Sequence, residues 1–151
     1  MCRDHNLFGT IEKCDFLPDA LPCPGVEFDL VYSFSVFTHT SERATRTALQ
    51  ALRDRVKPGS VVVITIRPGG YWQQASGIHA VADAASYEAR HEAEGFAFFP
   101  HPREPVDGDV TYGDTSMTID WLRRAAPFFE VAKFDDQYAD RNQQIVYLRP
   151  V

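Results

Sequence analysis

No part of this 151-residue chain constrains its fold more than residues 28–68. Phe28-Asp29-Leu30-Val31-Tyr32-Ser33-Phe34 is rich in β-branched and aromatic residues and reads as a buried strand. Thr40 or Ser41 can then cap a helix whose positive end suits Glu42. Ala44, Ala48, Leu49, Leu52 and Val56 share one helical face, with Arg43, Arg46, Gln50 and Arg53 elsewhere. Lys57-Pro58-Gly59 is expected to end that helix, because proline cannot continue it and glycine accepts a left-handed turn. Val61-Val62-Val63-Ile64-Thr65-Ile66 is apolar on both faces, as a central parallel strand is. Strand, helix, strand at this spacing is a βαβ unit, which makes the chain an α/β protein.

The flanks are less patterned. Residues 9–16 read as a short strand and residues 18–25 as a proline-rich loop. Residues 71–94 read as helical with weak patterning. Residues 96–114, with Pro100, Pro102 and Pro105, read as an irregular insertion, and so long a loop is usually functional. Residues 118–126 suit a short helix closed by Pro127. Residues 129–134 and 144–149 suit two strands whose short polar link favours antiparallel pairing.

Composition narrows the class. At 44% hydrophobic, the chain can build a core without disulfides or a structural metal. Its net charge of −6 is spread among mixed signs with no basic stripe, so a nucleic acid is not an expected partner and a small molecule is. Cys2, Cys14 and Cys23 lack metal or redox spacing and read as free thiols of a reducing, cytoplasmic compartment. The longest apolar run, residues 61–66, has a strand's length, so no membrane span is expected.

Four segments, taken in order, resemble class I S-adenosylmethionine-dependent methyltransferases. "CDFLP" is similar to the segment after that family's third strand, and "FDLVYSFSVFTHTSE" to its fourth strand and the following loop. "ALRDRVKPGSVVVITIRP" resembles the next helix, turn and fifth strand, and "FFEVAKFDDQYADRNQQIVYLRP" the closing hairpin. The resemblance implies a Rossmann-like mixed sheet with an antiparallel closing hairpin, incomplete at the N-terminus. It also implies a single domain over residues 1–151, with a substrate-side insertion at about 71–117. The implied activity is methyl transfer from S-adenosylmethionine to a small-molecule acceptor. One departure is plain: among nine glycines no two stand at i and i+2, so the family's glycine-rich turn is absent. At about 30 residues per βα unit, roughly 60 residues of the family's pattern are missing. The expectation is a truncated chain that binds the cofactor weakly or not at all and is inactive alone. An alternative is a non-catalytic remnant serving as a binding or assembly module. A nicotinamide-dependent enzyme's latter half is a third reading, against which the closing hairpin and Lys-Pro-Gly turn argue.

The same resemblance suggests roles. Asp15 matches a carboxylate that holds the cofactor's adenine amino group, with Phe16 packing on the adenine face. Ser33, Phe34 and Ser35 match the turn lining the methionine end. His39, between a strand end and a helix start, is the catalytic candidate, able to take a proton from a hydroxyl or amine acceptor; its plainer role is to hydrogen-bond the helix start. Arg67, Tyr71 and Trp72 follow the fifth strand and are candidates to flank the acceptor, or else ordinary packing residues. His101, Tyr112 and Asp114 fall in the insertion as lid candidates without assigned roles, and Asp29 reads as structural. His79 and His91 lack a third ligand at metal spacing, so no metal is expected. In the family the first strand covers the fourth. Without it, residues 28–34 become an exposed edge, expected to be covered by residues 9–16 or by a second chain in a homodimer, the latter favoured.

Overall fold

Ser41 sets the start of the first helix, α1 (Glu42–Arg53), because its hydroxyl accepts the Ala44 N–H at 3.2 Å with Glu42 in the first turn. The computed structural model describes residues 9–78, 81, 83–136 and 140–151. Before α1 lies strand β1 (Phe28–Ser33), and after it β2 (Val56–Ile66), which pairs with β1 in parallel. The expected βαβ unit is present.

The Lys57-Pro58-Gly59 reading needs correction. Asp54 already caps α1, and Val56 already pairs with Phe28, so those three residues lie inside β2. They form a bulge: β1 advances from Phe28 to Leu30 while β2 advances from Val56 to Val61. Gly59 takes φ 90°, where other residues are strained, and Ser60 Oγ donates to Phe28 O at 2.7 Å across the irregularity.

Beyond β2 come α2 (Tyr71–Ile78), α3 (Ala84–Glu94), β3 (Phe96–Pro100) and β4 (Gly113–Met117). Helix α4 (Ile119–Ala125), capped by Thr118, leads into β5 (Phe129–Asp135) and β6 (Gln144–Pro150). The main sheet runs β1-β2-β6-β5, with β6 antiparallel to both neighbours, so the closing hairpin is as expected. A second correction concerns residues 96–114. They are no irregular insertion throughout: β3 and β4 pair antiparallel in their own two-stranded sheet. A Cβ at position 113 would run into the Phe99 carbonyl oxygen, so Gly113 is what lets the two strands approach. A third correction concerns residues 9–16, which form no strand; Ile11 alone there is partly buried, so the segment has no apolar face to dock.

Alternation divides the sheet's two faces. Val62, Ile64 and Ile66 of β2 join Val146 and Leu148 of β6 against Leu49 and Leu52 of α1, Trp121 and Leu122 of α4, and Phe96 and Met117 of the hairpin. The opposite face is largely open. Leu30 and Tyr32 are 63% and 67% exposed there, beside half-buried Val61, Val63 and Tyr147. No helix among the described residues is long and apolar enough to cross a membrane.

Candidate functional site

Parallel strands β1 and β2 end side by side, and the loop leaving β1 is fastened to the β3–β4 hairpin. Gly113 N donates to His39 O at 3.0 Å, Thr115 N to Thr38 O at 3.0 Å, and Thr115 Oγ1 to Thr40 O at 2.6 Å. Met117 N reaches Arg67 O at 3.1 Å from the same strand. β4 therefore clamps both strand ends, and its Asp114 enters the space between them.

Asp114 is fully buried and organises the cluster. Its Oδ1 accepts from Arg67 Nη1 at 2.6 Å and its Oδ2 from His101 Nε2 at 3.0 Å. Burial alone would raise its carboxyl's pKa, but the hydrogen bonds from His101 and Arg67 outweigh that and hold it below the usual value. The charge is thus paired rather than neutralised by a proton. Arg67 also donates to Thr38 O at 2.9 Å, and its guanidinium lies 4.1 Å over the Tyr71 ring. Tyr71 is 3% exposed; its hydroxyl lies near Asp114 without a hydrogen bond of normal geometry, and burial raises its pKa.

His39 has a defined tautomer. A carbonyl can only accept, so Nδ1, 2.8 Å from Gly113 O, carries the hydrogen. Nε2 then accepts from Arg67 Nη2 at 3.2 Å, the longest of the Arg67 side chain's hydrogen bonds here. Burial lowers the His39 pKa, the Gly113 carbonyl works against that, and the Arg67 charge lowers it further. The neutral ring stacks on Tyr112 with centroids 5.3 Å apart.

A cavity of about 250 Å³ abuts this cluster, walled by Phe16, Ser35, Val36, His39, Thr40, Thr111 and Tyr112. Ser35 sits at φ 57°, unusual for a serine, and its N–H donates to Thr65 Oγ1 at 2.8 Å. A larger hollow, about 590 Å³ between α1, α3 and the hairpin, includes no member of the Asp114 cluster.

His39, Arg67 and Tyr71 thus come together in one cluster, while Phe16 and Ser35 meet His39 at one cavity. Ser33 ends β1, Phe34 is 38% exposed and stacks with Tyr32, and Asp15 is exposed on its loop. Trp72 is fully buried, stacks on Tyr87 and donates its indole N–H to Ser116 Oγ at 2.7 Å, so its place here is packing. His91 is buried on that same Ser116 hydroxyl, and His79 lies outside the described residues. Among the described residues no three His, Cys, Asp or Glu side chains converge to hold a metal ion. Sequence reasoning left Asp114, His101 and Tyr112 without roles and passed over Thr38. The signal for Asp114 was a carboxylate between glycine and a run of small residues, which no local pattern marks as buried.

The fold is similar to that of solved methyltransferase structures. A S-adenosylmethionine-dependent methyltransferase from Clostridium acetobutylicum superimposes with TM-score 0.58 at 11% identity, covering 98% of this chain and 67% of its own. The glycopeptide N-methyltransferase MtfA complexed with S-adenosylmethionine gives TM-score 0.56 at 12% identity, covering 94% and 64%. A S-adenosylmethionine-dependent methyltransferase from Methanosarcina mazei gives 0.55 at 12%, covering 88% and 64%. The chain therefore has the fold of S-adenosylmethionine-dependent methyltransferases and spans about two thirds of these chains' length. No family model and no curated protein matches its sequence.

Proposed function

We propose that this chain is the acceptor-side part of a S-adenosylmethionine-dependent methyltransferase acting on a small molecule. The observation that carries the reading is position: His39, Arg67 and Asp114 meet where β1 and β2 end, which in open α/β sheets is where ligands bind. Phe16 and Ser35, which wall the cavity beside His39, fit the cofactor's flat ring and sulfonium ends, and the exposed Asp15 carboxylate suits an amino group. Those residues, with Ser33 and Phe34, are the cofactor side of the proposal. When bound, S-adenosylmethionine supplies an electrophilic methyl carbon whose sulfur leaves as a neutral thioether.

The chain's own part is to hold the acceptor and take its proton. His39 Nε2 exchanges its 3.2 Å contact with Arg67 for the acceptor's hydroxyl or amine. Nε2 would take the acceptor's proton as the acceptor is methylated. Asp114 Oδ1, 3.6 Å from Nδ1, favours the imidazolium that results, while Thr38 O and Asp114 keep Arg67 from swinging away. Proton removal of this kind is worth roughly 10²–10⁴-fold in rate. The test is release of S-adenosylhomocysteine from S-adenosylmethionine with a panel of phenols and amines, using the chain within its full-length protein. Acceptor-dependent release that falls at least about 10²-fold in His39→Ala, with cofactor affinity kept, is the expected result. Release that His39→Ala leaves untouched at every pH would remove His39 from the chemistry.

A further inference from the structure

We propose that His101 is a positioning residue for His39, acting through the buried Asp114 carboxylate. This deepens the methyl-transfer reading and rests on it for what His39 does, while the experiment that tests it reads His39 itself.

Three hydrogen bonds run from one histidine to the other. An ionised carboxylate can only accept, so His101 Nε2 carries the hydrogen that it gives to Asp114 Oδ2 at 3.0 Å. The other oxygen, Oδ1, takes Arg67 Nη1 at 2.6 Å, and the second arm of the same guanidinium, Nη2, reaches His39 Nε2 at 3.2 Å. Nε2 is the atom that takes the acceptor's proton in the proposed reaction. A carboxylate turning about its Cβ–Cγ bond carries both oxygens together, so fixing Oδ2 fixes Oδ1 and the aim of Arg67 with it.

A second route passes through an aromatic ring. Tyr112 stacks on His39 with centroids 5.3 Å apart and 9° between the planes, and His101 meets the edge of Tyr112 at 5.4 Å and 75°. The His101 backbone is tied to the same residue, its N–H donating to Tyr112 O at 3.1 Å. Both histidine side chains keep some contact with water, but Asp114 keeps none. The carboxylate that joins them is therefore where a hydrogen bond counts most.

Losing the His101 donor has a consequence of definite sign. Asp114 Oδ1 lies 3.6 Å from His39 Nδ1, which gives its hydrogen to Gly113 O at 2.8 Å. A carboxylate released at Oδ2 turns Oδ1 toward Nδ1 and loosens Arg67 from Nε2. A nearer carboxylate and a farther guanidinium both favour the imidazolium. The groups facing His39 are Arg67 beyond β2, Asp114 of β4, His101 beyond β3 and Tyr112 before β4, and the first three bear on its charge. Tyr71 of α2 and Arg103 stand one contact further off, against Arg67 and Tyr112.

The test is long-range ¹H–¹⁵N NMR of the histidine rings from pH 5 to 8, in the chain and in two variants. His91, seated on the Ser116 hydroxyl outside this run of bonds, is the control. In the unaltered chain His101 should carry its hydrogen on Nε2 and His39 on Nδ1. His101→Phe keeps a ring against Tyr112 but has no donor; it should move the His39 titration midpoint upward and mix its tautomers, with His91 unmoved. His101→Gln, whose amide can still donate to Oδ2, should bring the His39 midpoint back toward its original position. A His101 ring with its hydrogen on Nδ1 in the unaltered chain would overturn the proposal even if neither variant folds. So would a His39 midpoint unmoved by His101→Phe, moved equally by His101→Gln, or moved together with that of His91. The rings report without cofactor or acceptor, so failure here is distinct from failure of methyl transfer.

Discussion

Half-buried His39 and buried His91 both fold in the neutral form, and this gives the chain a defined response to acid. Burial is the main cause of the lowered pKa in each. In the unfolded chain both would titrate near the ordinary 6.5, so below that pH the unfolded state binds more protons than the folded one. Their contribution to stability is complete above about 6.5 and is lost as pH falls through the lower folded values. Melting temperature should therefore be flat from pH 8 to 7 and drop between pH 6.5 and 5, and His91→Gln should reduce the drop. A melting temperature that rises on acidification through this window would contradict the assignment. At this scale the sequence was informative where chemistry follows a strand end. His39 and Arg67 could be singled out because each stands just beyond a recognisable strand. Asp114 could not, because its partner Arg67 lies 47 positions away and the His39–Gly113 bond spans 74.

Among the elements, the β3–β4 hairpin is the one that turns two strand ends into a site, and its register depends on Gly113. Any side chain there meets the Phe99 backbone, which cannot move aside as a flexible side chain would. Gly113→Ala should destabilise the chain by about 1–3 kcal/mol through overpacking, measured by urea unfolding. It should also loosen Asp114, seen as faster exchange of the Thr115 amide, which Thr38 O now accepts at 3.0 Å. Unchanged stability would show that the hairpin closes differently. This hairpin escaped the sequence reading for a physical reason. Gly113-Asp114-Thr115-Ser116-Met117 has little intrinsic strand preference, and its burial comes from long-range partners rather than an apolar alternation. By contrast, β1, α1, β2, β5 and β6 carry their periodicity within themselves and were legible as elements, although β1, expected to be buried, is an edge strand that exposes Leu30 and Tyr32. The Lys57-Pro58-Gly59 bulge shows the limit of such local rules, because proline and glycine interrupt a strand as readily as they end a helix.

For the whole molecule, the open sheet face and the β1 edge, unpaired among the described residues, are the features that most affect behaviour in solution. β1 closes one side of the sheet, and residues 9–16 do not pair with it. Among the described residues, the Asp29–Lys57 ion pair, at 2.6 Å, is what places charge along it. We propose that two chains pair through this edge, and sedimentation equilibrium should then show a dimer that Leu30→Lys disperses. A monomer at all concentrations would exclude it. The central claim, that this fold serves S-adenosylmethionine chemistry, meets its most direct test in a titration of the chain with S-adenosylhomocysteine followed by ¹H–¹⁵N NMR. The glycine-rich turn is absent, so binding should be weak. At millimolar ligand the amides of Phe16, Ser33, Phe34 and Ser35 should shift together, with smaller changes at His39. Saturating ligand that leaves those amides unmoved, or that shifts only residues elsewhere, would contradict the account.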